Sequence, residues 1–511
     1  MTAVEAKADA AAWAAVAAGT LGAMMATLDI SIVNASLPTI QGEIGATNTE
    51  GTWIATAYLV AEIVAIPLAG WLVKLLGLRN LLLCATGCFT AFSTLCGLST
   101  TLPLLVVGRA GQGLTGGVLI PTAMTIIASR LPRSQQGLGT ALFGLTAILG
   151  PVLGPILGGW LTTQLSWHYA FFINFPICVV LIALLLLGLP YEKPRTQLLR
   201  TADWAGILGL AFGLGALTVV LEEGQRLQWL ASPMICWLLL VSSFGFGLLA
   251  WGQMRAATPV IRLALLRDRQ FGAIAVMAIV VSMALYGTAY VIPQFLSGIS
   301  GYNALQSGQI VILSGLPMIA LMPFTPFLLN RLDIRLAVGI GLLALAFSAY
   351  LETALSPLST GSSFAASQLM RGFGVVMTMM FLNQAAIRSV PASLASDASG
   401  LYNGLRNVGG SIALAGIATL QEQRLWLHSR HIEDTLPANA VAVQDYVLAQ
   451  THGLGTQAAA LLSLEQTIQV QALTMAYADL FGILTVLILL VMPLVALLRP
   501  MKRSAELSLA H

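Results

Sequence analysis

Apolar residues in this chain gather in blocks long enough to cross a bilayer, which takes about 20 mainly apolar residues in a helix. Such blocks run at roughly 14–36, 52–73, 80–100, 103–127, 138–161, 168–189, 203–221, 233–253, 271–295, 307–329, 336–355, 362–386, 399–421 and 473–498. The pattern predicts fourteen spanning helices joined mostly by short polar turns. The apolar stretch 80–127 divides at Ser99 to Pro103. Two connections are longer. Arg255 to Gln270 is basic and predicts a short amphipathic helix on the membrane surface. Glu422 to Ala472 reads as a solvated connector in which Leu461 to Leu473 can form a helix projecting from the membrane.

Composition and charge support this pattern. Hydrophobic residues make up 57% of the chain and charged ones 9%, with a mean hydropathy of +0.85, too little charge to cover a soluble protein of this length. With both termini placed in the cytoplasm, only Arg226, Arg424 and Arg430 of the 24 Lys and Arg fall in outer segments. Arg109, Arg371 and Arg406 fall within spans, and the rest, including Lys7, Arg133, Lys502 and Arg503, fall in inner segments. The net charge of +3 therefore reports topology and gives no reason to expect a nucleic-acid partner. The first apolar block is too long for a signal-peptide core and reads as a retained helix.

Enzyme chemistry finds little support. The five histidines make no metal-spaced motif, and no phosphate-binding G-x-x-x-x-G-K-[ST] loop occurs. The five cysteines show no zinc-like pairing and read as packing residues, so neither a metal nor a cofactor is expected.

Internal repetition and buried charge point to transport. GRAGQG around Arg109 and MRGFG around Arg371 occupy the fourth and twelfth spans, and Pro132 and Pro391 follow them at nearly the same interval. Two parallel six-helix halves with two inserted helices between them account for this, an arrangement that suits a carrier whose halves rock about a central site. Ionisable groups inside a membrane are expensive and mark functional sites. Asp29 and Arg109 lie at similar depth and are expected to interact, either to exchange a proton or as a permanent pair that orients two helices. Glu62, in mid-span and without a charged neighbour in sequence, reads as a proton carrier, an anchor for a cationic substrate, or a neutral packing residue. Arg371 mirrors Arg109, and Arg406 reads as an inner-gate or packing residue. Tyr58, Met377, Trp53, Tyr290, Met379 and Met380 are candidates to line an adaptable cavity. Trp167, Trp229 and Trp426 read as interface anchors, and Glu222, Glu223, Glu352 and Asp479 as acids solvated at outer boundaries. In GLTAILGPVLGPILGG, the residues Gly150, Pro151, Gly154, Pro155, Gly158 and Gly159 predict a helix that bends and lets a neighbouring backbone approach, a candidate hinge or gate.

LDISIVNASLP, GTWIATAYLV, GRAGQG, GPVLGPILGG, WHYAFFINFPIC, PVIRLALLRDRQF and SGLYNGLRNVGGSIA together resemble the fourteen-span EmrB/QacA branch of the major facilitator superfamily. The resemblance implies an all-α integral membrane protein with the major facilitator fold. Its expected parts are an N-terminal bundle at 1–190, inserted helices and a linker at 191–270, and a C-terminal bundle at 271–511 carrying a long periplasmic loop at about 422–472. It further implies proton-driven export of lipophilic drugs or other amphipathic compounds across a bacterial inner membrane, with the Gly-Pro helix as the antiporter-associated element. Proton-coupled uptake of a metabolite and a non-transporting receptor or scaffold are the alternatives. In many family members the loop after the second span reads G-x-x-x-D-x-x-G-R. Here GWLVKLLGLR keeps Gly70, Gly77 and Arg79 but places Lys74 where the acid stands, so a carboxylate-based latch in this loop is not expected. That change is closer to the EmrB side, which implies a periplasmic adaptor and an outer-membrane channel as partners, with adaptor contact at the long outer loop.

Overall fold

A computed structural model describes residues 8–132, 135–256, 259–321, 324–391, 394–437 and 440–499. Lys7, Arg133, Lys502 and Arg503 of the charge pattern lie outside the described residues, as do the side chains of Pro151 and Pro155. The chain is helical, with no strand among the described residues: α1 (Ala10–Ile44), α2 (Asn48–Gly51), α3 (Trp53–Leu76), α4 (Leu78–Gly97), α5 (Leu102–Arg130), α6 (Gln136–Gln164), α7 (Tyr169–Phe172), α8 (Asn174–Gly188), α9 (Trp204–Glu223), α10 (Pro233–Arg255), α11 (Arg269–Gly298), α12 (Ala304–Ile312), α13 (Gly315–Leu321), α14 (Thr325–Arg331), α15 (Ile334–Leu351), α16 (Ala365–Arg388), α17 (Ala395–Thr435), α18 (Val441–Leu454) and α19 (Gln457–Val491).

Among the described residues, eleven helices are long and apolar enough to cross a membrane. The other three expected spans fall on α6, on α17, and on the stretch 307–329. That last stretch, where one continuous helix was expected, is interrupted at Leu313 and Ser314 between α12 and α13, and α14 follows beyond residues 322–323, which lie outside the described residues. Breaks of this kind are tolerated in a bilayer where neighbouring protein covers the freed backbone, and α12, α13 and α14 all pack against α6.

The longest departure from the predicted pattern is outside the spans. The outer connection is helical almost throughout: α17 runs on to Thr435, α18 follows, and α19 begins at Gln457. The helix expected at Leu461 to Leu473 is present as the first part of α19, continuous with the last span, and the rest of the connector is helical as well. Thr456 caps α19 by accepting from the Ala459 amide, and Gly455, at φ +82°, supplies the left-handed turn that ends α18. Among the described residues, the basic stretch between α10 and α11 holds a short 3-10 helix at Leu263–Arg267 in place of the expected amphipathic helix.

Two groups of apolar cores divide the described chain. Residues before 190 supply three, with Phe89, Met124 and Phe171 among their fully buried members. Residues after 260, joined by Leu210 and Leu249 of the α9–α10 pair, supply the others, around Phe271, Phe381 and Phe481. The pair α9–α10 packs on α3 and α17, so it touches both groups.

Candidate substrate cavity and its charged groups

A cavity of about 350 Å³ lies between the two groups of helices. Its walls come from α1, α3, α5, α6, α9, α11, the broken α12–α13 stretch, α16 and α17. Most of the wall is apolar, with Ile30, Ile63, Phe143, Leu285, Met379 and Met380 among the contributors. The charged groups that reach it are Glu62, Glu222, Arg371 and Arg406.

Helix geometry decides which predicted residues reach this cavity. On α16, Gln368, Arg371, Val375, Met379 and Asn383 recur at helical spacing and share the cavity face. Of the three methionines expected to line the cavity, Met379 and Met380 do, whereas Met377 lies off that face, only 3% exposed in the bundle core. On α3, Leu59, Glu62 and Ile63 face the cavity, whereas Tyr58 turns into the first bundle. There its ring lies under the Arg109 guanidinium at 4.2 Å, and its hydroxyl donates to the Ala26 carbonyl. Trp53 and Tyr290 do not reach the cavity either.

Asp29 and Arg109 meet, as expected from their matched depth. Arg109 Nη1 donates to Asp29 Oδ2 at 2.5 Å, and both side chains are fully buried. Asp29 Oδ1 accepts from Gln112 at 3.1 Å and from Asn174 at 2.7 Å, while Arg109 Nε donates to the Ile54 carbonyl at 3.1 Å. The network ties α1, α3, α5 and α8 together and sits away from the cavity wall. Gln112 and Asn174 were visible within GRAGQG and WHYAFFINFPIC but carried no signal of their own.

Arg371 mirrors Arg109 in position but not in partner. Its Nη2 donates to both oxygens of Glu352 at 2.5 and 2.6 Å, and the Ser367 hydroxyl donates to the same carboxylate. Glu352 is 2% exposed, not solvated at a boundary. Glu223 is buried too, accepting from the Thr52 and Thr56 hydroxyls of α3 and pairing with Arg226. Glu222 faces the cavity, and its Oε1 has no hydrogen-bond partner. Asp479 keeps a partly exposed position, between His428 and Arg424. The reading as solvated boundary acids fails for Glu223 and Glu352, because each carboxylate is buried among hydroxyl donors and paired with an arginine. Trp167 is likewise a buried residue, donating to Glu43 at 2.8 Å, and Trp229 donates to Thr419; of the three expected anchors Trp426 is the exposed one.

Arg406, read from the sequence as an inner-gate or packing residue, stands on the cavity wall and forms no salt bridge among the described residues. Glu62 is 4% exposed, also on the wall, and has neither a hydrogen bond nor an ion pair from its side chain among the described residues.

The Gly-Pro helix α6 packs along α1 through three glycines. A methyl group added at Gly150 would lie 2.6 Å from the Thr27 hydroxyl, one at Gly154 would overlap Ser31, and one at Gly158 would lie 2.7 Å from the Ile32 carbonyl. Gly159 is off this stripe and faces open space.

At the end of α3 the two helix groups are joined by polar contacts. Lys74 Nζ donates to both oxygens of Asp397 at the start of α17, at 2.7 and 2.6 Å, and Arg262 approaches the same carboxylate at 3.4 Å. The loop thus does carry an ionic latch, with the acid supplied by α17 and the base by α3. Gly77 turns the chain at φ +79°, with Glu192 packed where a side chain stands in other residues, and Arg79 donates to the Leu189 carbonyl. Gly70 is buried within α3. Nearby, the Ser399 hydroxyl donates to the Pro121 carbonyl and Gly404 lies against Pro67.

A multi-pass helical membrane protein, enclosing a mostly apolar cavity with a few charged groups between two helix groups, is built as a carrier of small molecules, not as an enzyme. The chain belongs to the Major Facilitator Superfamily, whose family model matches residues 19–414. It is 34% identical over 485 residues to the colistin resistance protein EmrB of Acinetobacter baumannii, covering 93% of this chain and 94% of that one. It is 30% identical to the multidrug export protein EmrB of Escherichia coli K12, with 94% of each chain covered. To the fatty acid resistance protein FarB of Neisseria gonorrhoeae it is also 30% identical, with 96% of each covered. The human organic anion transporter MFSD10 shares the fold, with a TM-score of 0.61 at 16% identity over 93% of this chain and 99% of that one.

Proposed function

We propose that this transporter exports lipophilic cations and other amphipathic compounds across a bacterial inner membrane in exchange for protons, with both termini in the cytoplasm. The single observation that carries the reading is Glu62: a carboxylate almost fully buried on the wall of the cavity, with no fixed partner among the described residues. A carboxylate desolvated in this way is stable only when protonated or beside a cation, so proton and cationic substrate compete for it. Export relatives at 30–34% identity across nearly the whole chain support the direction of transport.

In the proposed cycle, protein open to the outside takes a proton on Glu62 and releases substrate. Protein open to the inside gives that proton up and binds substrate again. The Asp29 carboxylate, which accepts from Arg109, Gln112 and Asn174 and is buried away from the cavity, favours a positioning role for that pair. The α6–α1 glycine stripe is the seam along which the first bundle is built, and Lys74–Asp397 holds the inner end shut in the outward-facing phase. The boundaries 1–190, 191–270 and 271–511 divide the parts that move. The outer extensions of α17 and α19, with α18 between them, offer the surface for a periplasmic adaptor leading to an outer-membrane channel.

The test is ethidium accumulation in an efflux-deficient host, with and without a protonophore. Expression of the wild type is expected to lower accumulation only while the proton gradient persists, and Glu62→Gln to remove the effect. Gradient-dependent efflux retained in full by Glu62→Gln overturns the assignment.

A further inference from the structure

Glu222 belongs to α9, one of the two inserted helices, yet its side chain faces the same cavity as Glu62. Its Oε1 is buried without a hydrogen-bond partner, and so is Nε of Arg406. Two further polar groups on the same wall are more than nine-tenths buried and unpartnered: the Gln368 Nε2 amide, at 1% residue exposure, and the Asn383 Oδ1, at 7%. Buried polar atoms left open on a cavity wall mark where a polar ligand completes the hydrogen bonding.

The formal charge of this wall can be counted. Tyr286 and Tyr402 are neutral phenols. Arg371 is cancelled by Glu352, whose carboxylate takes two hydrogen bonds from it. Arg406, Glu62 and Glu222 remain, one cation and two anions, and no salt bridge joins them. The empty, deprotonated cavity therefore carries one net negative charge. Either one proton or one monovalent cation brings it to neutrality, and in a desolvated space the two cannot be accommodated together at low cost.

We infer that Glu222 is a specificity-determining residue: it offsets Arg406, so that the cavity selects substrates carrying a single positive charge and exchanges each for one proton. The inserted pair of helices thereby supplies part of the recognition site as well as the link between the bundles. Without Glu222 the cavity holds Arg406 against Glu62, is neutral when deprotonated, and rejects a cation. The inference rests on the proton-exchange reading of Glu62 and extends it to the charge of the substrate.

The experiment measures ethidium binding to purified protein in detergent at neutral pH, alongside ethidium transport in proteoliposomes driven by a pH gradient. Glu222→Gln is expected to weaken ethidium binding by at least about tenfold, the size of one unit charge acting across several ångströms at an intermediate dielectric. Glu222→Asp, which keeps the charge, is expected to hold most of the affinity. The double variant Glu222→Gln with Arg406→Gln restores the count of one negative charge and is expected to recover binding, a rescue that separates lost charge from lost fold. Unchanged ethidium affinity in Glu222→Gln, or no recovery in the double variant, overturns the inference while leaving the export reading in place. A wild type that moves no ethidium under a pH gradient overturns both.

Discussion

Burial without a partner separates the acids of this protein more sharply than depth along the chain does. Asp29 and Glu62 looked alike in the sequence, each an acid inside a span, but Asp29 accepts from Arg109, Gln112 and Asn174 whereas Glu62 faces the cavity alone. Asp29→Asn therefore leaves the Arg109 guanidinium buried without its counter-charge, a loss of roughly 3–5 kcal/mol when one partner of a buried pair is removed. The expected result is a lower unfolding midpoint and poor yield in detergent, with ethidium transport per folded molecule retained; intact stability with uncoupled transport contradicts the positioning role. The Asp29–Arg109 contact was legible because both residues sit seven positions from the expected edge of an apolar block, a measure of depth that survives although α1 itself runs on to Ile44. Rotation about the helix axis is not carried so well when apolar residues surround the whole helix. That is why Tyr58 and Met377 were assigned to the cavity and face the cores, while Glu222 was assigned to the boundary and faces the cavity.

At the scale of elements, glycine spacing was the strongest local signal and also the most reliable guide to packing. Gly150, Gly154 and Gly158 fall one helical turn apart, and together they bring α6 onto Thr27, Ser31 and Ile32 of α1. Gly154→Leu is expected to drive α6 from α1 and abolish transport, read as lost ethidium efflux and a changed pattern of thiol cross-linking between the two helices. Gly159→Leu, on the open side, is expected to leave efflux within about twofold of wild type, since a surface change away from packing carries little energy. The interruption within 307–329 and the helical part of the outer loop before Leu461 were not legible from hydropathy. Hydropathy averages over a window, whereas a break depends on which neighbour covers the backbone, here α6, and polar helix extensions carry no apolar signal.

For the whole molecule, the two helix groups are joined by the Lys74–Asp397 ion pair and enclose the cavity whose charge is proposed to select the substrate. Lys74 and Asp397 lie on opposite sides of that division, and their charges are reversed relative to the pattern expected of the loop. Lys74→Asp alone places two carboxylates together and is expected to reduce transport severalfold by favouring the inward-open form. Combining it with Asp397→Lys is expected to return transport towards wild type, as the pair then attracts again; no recovery in the swapped pair contradicts a latch between the halves. The central claim is that a proton and a cationic substrate compete for Glu62. The most direct test is ethidium affinity of the purified protein as a function of pH. The account predicts that affinity falls on acidification, approaching about tenfold per pH unit for one competing proton, and that Glu62→Gln binds ethidium weakly and without pH dependence. Wild-type affinity independent of pH, or the same pH dependence in Glu62→Gln, contradicts it.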